Sequence, residues 1–372
     1  MRHIVSNSRF RLAIAACAAA VLVVSLASCQ TVGYYSQAAG GQMELWRAAE
    51  PIEQLLEDEN TDPALRERLE LVSEIRTFAT EELSLPDSGS YRRYADLERP
   101  YVIWNVFAAP ELSLEPVTWC FPIAGCVGYR GYFSEEGAQR FADSMRERGF
   151  DVYVGGVPAY STLGWFDDAV LNTFIDYSDT DLAQLIFHEL AHQVAYAPGD
   201  TTFNESFATA VELEGVKRWM AASGREAMLA AVEKALSRHQ DFLDLVMSTR
   251  EELEVIYQSE QTDEVKRSQK VDAYLRLREG YQSLKQKWRG YSGYDRWFEG
   301  PLNNAQIGSV AAYNELVPGF QQLLAANGGD LNAFYEAVTE LTKLSVDERR
   351  ARLGVSEVPC SDCAAATLDA ES

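Results

Sequence analysis

The 372-residue sequence predicts an α+β fold that is mainly α-helical, with a small β-sheet beside a helix pair and a long projecting helical hairpin. Apolar residues recur every three or four positions over most of the chain, which is the spacing of amphipathic helices. Short β-branched and aromatic runs fall within residues 86–180 and are typical of strands. The charged stretch 224–288 keeps the helical spacing without a proline, which predicts two long antiparallel helices.

Composition narrows the class of partner. Apolar residues make up 47% of the chain and charged residues 24%, which argues against wholesale disorder. The formal net charge of −23 argues against nucleic acid or an anionic membrane surface as the main partner. The length suffices for one large domain or two, and we predict a single domain over residues 42–357 with a flexible tail over 358–372.

Residues 1–28 have the pattern of a secretory signal, with a basic start and an apolar run over residues 12–26. The run ends in Leu26-Ala27-Ser28-Cys29, which resembles a bacterial lipobox, whose cysteine becomes the lipidated first residue of the mature chain. An uncleaved anchor helix is the alternative, although the run is short for a span of roughly 20 residues. The resemblance implies a periplasm-facing lipoprotein of the cell envelope, attached to the membrane through lipid on Cys29. Because the uncharged Gln30 follows, it implies the outer membrane.

The next segments predict a tether, a helical hairpin and the sheet. Residues 29–41 are small and polar and predict the tether, and residues 42–85 predict the helical hairpin with its turn at 60–63. Residues 86–180 predict the small sheet, with one crossing helix that begins at Ser134. The expected strands span residues 101–108, 112–119, 126–133 and 151–154.

Three helical blocks complete the domain. Residues 181–222 predict a helix pair, because Pro198-Gly199 is a helix terminator between two apolar-periodic stretches. Residues 223–289 predict the hairpin arm, whose shape suits docking of a protein partner. Residues 300–350 predict C-terminal helices.

Four cysteines remain once Cys17 leaves with the signal and Cys29 carries lipid. Export predicts an oxidising compartment, so disulfides are expected rather than a thiolate metal site. A disulfide between Cys120 and Cys126 would close a short loop. Cys360 and Cys363 form a C-x-x-C in the tail, where no thioredoxin-like βαβ pattern supports a redox role, so we interpret them as a structural or incidental pair.

The helix pair contains His188-Glu189-Leu190-Ala191-His192, an H-E-x-x-H motif. Residues four apart lie on the same helix face, so His188 and His192 can direct two imidazole nitrogens at one ion. Glu189 is close enough to reach a water bound to that ion. Two nitrogen ligands, an open metal position and a carboxylate base are the parts of a zinc peptidase helix.

A catalytic zinc ion needs a third protein ligand. His239 lies in a charged helical stretch and looks like a solvated surface residue, and a third histidine six residues after the motif is excluded because position 198 is proline. Asn204-Glu205-Ser206-Phe207-Ala208 offers a carboxylate and resembles the N-E-x-x-A segment of gluzincin peptidases, whose Glu completes a His₂Glu set. The other interpretation is that Thr202 and Glu205 form a capping box.

Two further features allow a functional and a structural interpretation. Glu212 lies two turns beyond Glu205 on the same helix face, and it either supports a histidine from behind or belongs to a solvated charged face. The stretch 155–168 is either an edge strand that lies along the substrate main chain, as in gluzincins, or a structural loop that packs Trp165 and Phe166.

The chain as a whole resembles a bacterial family of predicted zinc aminopeptidases, often lipoproteins. The resemblance is carried by residues 119–126, 129–133, 159–168, 188–208, 302–305 and 330–335. It implies a gluzincin-like site in which His188, His192 and Glu205 bind Zn²⁺ and Glu189 is catalytic, acting on a peptide substrate. The donor for the oxyanion remains open among Tyr313, Tyr160 and Asn304.

Three alternatives remain open on the sequence. Residues 155–160 lack the glutamate that large aminopeptidases place on their edge strand, so exopeptidase and endopeptidase specificity both stay open. The same chain would also suit a zinc hydrolase that acts on cell-wall peptides. From a different class, it would suit a helical envelope scaffold whose zinc site is structural or vestigial, against which the intact Glu189 argues.

Overall fold

The computed structural model describes residues 33–121, 125–159, 162, 166–224 and 226–354, without the side chains of 226–231 and 233. The predicted signal segment, Cys29, Tyr160, Cys360 and Cys363 therefore lie outside the described residues. In the described part the protein is mainly helical with small sheets, which confirms an α+β fold dominated by helices. No helix of that part is long and apolar enough to cross a membrane.

In the described part, the strands all lie before residue 172, where they are mixed with helices, and the rest of the chain is helical. The strands are β1 (Glu50–Pro51), β2 (Arg93–Ala95), β3 (Ile103–Pro110), β4 (Trp119–Phe121), β5 (Gly125–Val127), β6 (Arg130–Tyr132), β7 (Phe150–Val157) and β8 (Val170–Leu171). The helices are α1 (33–48), α2 (Ile52–Glu57), α3 (Pro63–Glu81), α4 (Glu135–Glu147), α5 (Asp179–Ala191), α6 (Thr201–Ala222), α7 (Glu226–Gln258), α8 (Asp263–Lys287), α9 (Asn304–Asn314), α10 (Val317–Ala326), α11 (Leu331–Leu341) and α12 (Val346–Arg352).

The sheet predicted over residues 86–180 corresponds best to an antiparallel sheet with the strand order β6-β3-β7. Val106 of β3 is opposite Arg130 on one side and Val154 on the other, and α4 connects β6 to β7. As predicted, Ser134 caps α4, its Oγ accepting from Gly137 N at 3.1 Å. The strand predicted over 112–119 is wrong except at Trp119, where β4 begins, and the strand predicted over 126–133 is split between β5 and β6.

The predicted tether is wrong over residues 33–41, which belong to α1. Gln37 Oε1 accepts from the amide of Phe133 at 2.9 Å. Gly41 lies directly against the Phe133 ring, because a Cβ added there would come within 2.1 Å of it. The small residues that look like a linker in the sequence thus allow a helix to pack closely on the end of β6. The helical hairpin predicted over 42–85 is interrupted by β1. As predicted, Asp62 caps α3, and its side chain accepts hydrogen bonds from two backbone amides.

Two hydrophobic clusters support the helical half. The first joins α3, α5 and α6 to α10 and α11 and includes the fully buried Phe187, Phe207 and Phe320. The second joins α7 and α8 to α9 and to the turn that holds Phe298. Lys270 of α8 bonds Asp151 at 2.6 Å, so the arm formed by α7 and α8 is tied to the start of β7.

Candidate metal centre

The helix α5 carries the H-E-x-x-H motif at its C-terminal end. Ser178 caps its start, accepting from the amide of Asp181 at 3.2 Å, within two residues of the predicted start. The helix ends at Ala191 with His192 as its C-cap, six residues before the predicted stop at Ala197. Leu182, Ile186, Phe187 and Leu190 are buried in the first cluster, which orients the opposite face with His188 and Glu189 towards a cleft.

A short turn returns the chain to α6. Asn204 stabilises the turn because its side chain bonds both the amide and the carbonyl of Ala197, at 2.7 and 2.9 Å. Asp200 caps α6, accepting from Phe203 N at 3.0 Å, so the capping box between Thr202 and Glu205 is wrong. The carboxylate of Glu205 is therefore free of the helix end and lies against the histidines of α5.

The side chains of His188, His192 and Glu205 meet at one point. Glu205 Oε2 lies 3.2 Å from His188 Nε2 and 3.6 Å from His192 Nε2. One ligand atom from each of the three residues lies within 4.8 Å of the others. Around a tetrahedral ion with bonds of about 2.0–2.2 Å, neighbouring ligand atoms are roughly 3.3 Å apart, so the observed spacing fits a metal ion. The group could hold a metal ion as the sequence suggests.

Glu212 contacts the group, whereas His239 lies elsewhere. Glu212 Oε2 lies 2.8 Å from His188 Nδ1, the ring nitrogen that faces away from Glu205, which matches the supporting role considered for it. His239 is half-buried rather than solvated, and its Nδ1 lies 3.1 Å from Tyr294 Oη in the second cluster. His239 therefore takes no part in the group.

Charged side chains on α5 and α6 shift each other's pKa values within the group. Burial lowers the pKa of His188, but its hydrogen bonds with Glu205 and Glu212 outweigh burial and hold that pKa well above 6.5. Burial raises the pKa of Glu205, but the charge of His192 and the hydrogen bond with His188 outweigh it and lower the pKa to about 2. Burial raises the pKa of Glu189, against the opposing charges of the two histidines. Glu205 is thus held ionised and Glu189 is shifted towards the range of a base.

A cleft of about 600 Å³ opens beside the group. Its lining includes His188, Glu189 and Glu212, together with Asp181 and Leu185 from the same face of α5. The volume lies within the range of ligand clefts, roughly 300–1,000 Å³. The cleft therefore borders the group at His188 and also reaches Glu189.

Comparison with known proteins gives one match. A family model described as "putative aminopeptidase" matches residues 33–353, which include α1 and the group of His188, His192 and Glu205. The chain belongs to this aminopeptidase family. No curated protein and no solved structure matched the chain. The family match confirms the aminopeptidase resemblance given by the sequence, and its start at residue 33 agrees with α1 being part of the domain.

The charge of Glu205 acts on three tyrosines: Tyr313, which the sequence offers as an oxyanion donor, and Tyr129 and Tyr196, which it does not single out. The ring of Tyr313 lies nearly parallel to that of His188, with centroids 6.1 Å apart. Burial raises the pKa of Tyr129, and the charge of Glu205 raises it further. Burial and Glu205 also raise the pKa of Tyr196, to about 12. No local pattern distinguishes Tyr129 or Tyr196 from the chain's other tyrosines, which is why sequence reasoning missed them.

Of the other two candidates for the oxyanion donor, Tyr160 lies outside the described residues and Asn304 has a structural role. Asn304 is wholly buried, and its amide donates to the carbonyls of Pro110, Glu111 and Ser113 while its oxygen accepts from two tyrosines. It is therefore a structural residue. Residues 155–157 belong to β7, which lies at the edge of its sheet in the described part of the chain. Phe166 packs edge-on against Trp46 at 4.7 Å, and Trp165 lies outside the described residues.

Proposed function

We propose that this member of the aminopeptidase family is a zinc-dependent peptidase with a gluzincin-like site, in which His188, His192 and Glu205 hold Zn²⁺. The observation that carries the proposal is the meeting of two imidazole nitrogens and a buried carboxylate beside a cleft that also exposes Glu189. Two nitrogens and one carboxylate oxygen are a donor set that suits zinc. The ion would supply a Lewis acid and lower the pKa of a water towards roughly 7.

Glu189 is the proposed general base. The residue is 9% exposed and lines the cleft, so its carboxylate can accept the proton of an attacking water and later deliver it to the leaving amine. Its raised pKa favours both steps, because a base near the working pH can also act as the acid. An open cleft and a buried, available base also argue against the structural or vestigial scaffold.

Tyr313 is the proposed donor to the oxyanion. Its ring lies against His188, and burial and the charge of Glu205 raise the pKa of its phenol well above 10. The phenol therefore keeps its proton at neutral pH and can donate a hydrogen bond to negative charge that develops in the transition state.

The cleft and the family together favour a substrate with a positive group. Asp181 and Glu212 line the cleft with Glu189 and give it negative charge, which suits a free amino terminus. We propose to test this with the zinc-loaded protein and a peptide library in which each peptide has a free and an acetylated form. Cleavage of the free forms alone supports an aminopeptidase, cleavage of both supports an endopeptidase, and cleavage of neither by a fully loaded sample contradicts the proposal.

Glu212→Gln is expected to weaken zinc binding by about 10–100-fold, the usual cost of removing a carboxylate that supports a ligand histidine. The charge on Glu212 favours the tautomer that presents His188 Nε2 to the ion, and the amide lacks that charge. Competition with a coloured chelator measures the affinity. Glu214→Gln is the matched control, because Glu214 lies on the same helix and pairs with Arg218 at 2.8 Å. Equal affinities in the two variants would remove Glu212 from the site.

Zinc affinity is expected to rise with pH because protons compete for His188. The pKa of that imidazole is held well above 6.5, so the proton is bound more tightly in the folded metal-free protein than in the unfolded chain. The apparent affinity should therefore gain about tenfold per pH unit, for one released proton, until the pH exceeds that pKa. Calorimetry in two buffers of different ionisation enthalpy measures the proton release. An affinity that stays constant between pH 6 and 8 would contradict the coupling.

We also propose that the protein is anchored in the outer membrane, facing the periplasm, through lipid on Cys29. The motif that ends at Cys29 supports this, and metabolic labelling with a radioactive fatty acid tests it. Label should enter the wild type and be absent from Cys29→Ser.

A further inference from the structure

The strands β4 and β5 form a hairpin that is closed by a disulfide, and we call residues 119–121 and 125–127 the disulfide hairpin. Cys120 and Cys126 are opposite one another in its register, and their sulfurs are bonded, the pairing that the sequence suggested. The described hairpin contains two strands of three residues each. So short a pair has few ladder bonds of its own, and the cross-link contributes to its definition.

The disulfide hairpin lies against the turn between the two metal-binding helices. Gly125 has φ +74°, and a Cβ added to it would come within 2.7 Å of the amide nitrogen of Gly199 and 3.1 Å of the carbonyl carbon of Pro198. The two backbones are therefore in direct contact, with no room for a side chain between them. Only glycine combines this φ with this approach. The hairpin thus has a defined position relative to the start of α6.

The chain that leaves the hairpin continues towards the metal group. The amide of Gly128 donates to Thr201 Oγ1 at 3.4 Å. Thr201 lies one turn before Glu205 on α6, on the same face of that helix. Tyr129 follows Gly128 directly, and its ring packs against Phe107 of β3, with centroids 5.7 Å apart.

The phenol of Tyr129 is within the electrostatic reach of the site. After burial, the strongest influences that raise its pKa are the charge of Glu205 and the neighbouring Tyr196, with Glu189 next. Tyr313 in turn has its pKa raised by Tyr129. The backbone contacts place residue 129 beside the start of α6, and the influence of the Glu205 charge on the pKa of its phenol agrees with that placement.

We propose that Tyr129 is a second phenolic donor to the oxyanion and that the Cys120–Cys126 disulfide hairpin is the element that positions it. The assignment rests on the proposed peptidase function. It gives the disulfide a role in the site: a dithiol reductant that converts the bond into two thiols, and is itself oxidised to a disulfide, frees the chain that precedes Tyr129, while Arg130 after it stays paired with Val106 of β3. The protein would then be fully active only where its disulfide stays oxidised.

The test is a double cycle on the zinc-loaded protein, with the oxidised and reduced forms of the wild type and of Tyr129→Phe. Loss of one such donor is expected to lower kcat by about 10²-fold. Reduction should lower the wild-type kcat by a similar factor and leave Tyr129→Phe unchanged, because the donor is already absent. Tyr153→Phe is the matched control, since Tyr153 packs on the same Phe107 from β7, with centroids 6.1 Å apart. It should keep wild-type kcat and wild-type sensitivity to reduction.

Two results would overturn the proposal. One is a wild-type kcat that does not respond to reduction; the other is an equal further loss in reduced Tyr129→Phe, which would mean that the disulfide acts on folding or elsewhere. Hydrogen exchange of the metal-free protein gives a readout that needs no activity. Reduction should speed exchange of the Gly128 amide at least tenfold and leave the Phe203 amide, at the capped start of α6, unchanged. If exchange responds as expected but the oxidised wild type hydrolyses no peptide, the peptidase function fails while the positioning by the hairpin stands.

Discussion

Glu189→Gln is expected to lower kcat by about 10²–10⁴-fold, the usual contribution of general acid–base catalysis, and to leave zinc bound at one equivalent. The amide has the size of the carboxylate but cannot accept the proton of the attacking water. Glu189 lies in the cleft and is not one of the three ligand residues, so the ion should stay in place. Initial rates and elemental analysis of the same sample measure the two quantities.

Asp179→Asn is the matched control for that variant. Asp179 lies on the same helix, but its carboxylate pairs with Arg68 at 2.7 Å, away from the cleft. It should retain wild-type kcat. Normal turnover in Glu189→Gln with metal bound would mean that another group takes the proton, and loss of both turnover and metal would mean that Glu189 is a ligand.

Glu205→Ala is expected to reduce zinc affinity by more than the 10–100-fold that follows loss of a supporting carboxylate, and activity should fall with occupancy. Only two protein ligands would remain, His188 and His192, whereas a catalytic zinc site uses three. Excess zinc should restore only part of the activity, because the third ligand also shapes the site.

The control for Glu205→Ala is Glu214→Ala on the same helix. Glu214 makes surface ion pairs with Arg218 and Lys217 and takes no part in the group. Equal zinc affinities for the two alanine variants would exclude Glu205 as a ligand and reopen the search for a third one.

Local patterns predicted which elements carry the candidate site. The terminator at Pro198-Gly199 and the expected end at residue 222 agree with the bounds of α6, and the motif on α5 determines which histidines can share an ion. The candidate third ligand, Glu205, needed more than spacing, because in the sequence it could also be a capping residue. The structure separates the two interpretations through Asp200, which occupies the cap position.

Features that depend on distant contacts were missed or misread. The end of α5 was placed too late because the Asn204 side chain, and not the proline alone, defines the return turn. Residues 33–41 look like a tether in the sequence because nothing local reveals that Gly41 packs on Phe133. The role proposed for Tyr129 depends on the disulfide hairpin and on the bond of Gly128 to Thr201, which are long-range contacts.

The most direct test of a metal-dependent peptidase is a titration of the metal-free protein with Zn²⁺, in which peptide hydrolysis and bound metal are measured on the same samples. Hydrolysis should rise in proportion to bound zinc, reach its maximum at one equivalent, and disappear when a chelator removes the ion. Hydrolysis that is independent of bound zinc, or one equivalent of bound zinc with no hydrolysis of any peptide in the library, would contradict the account.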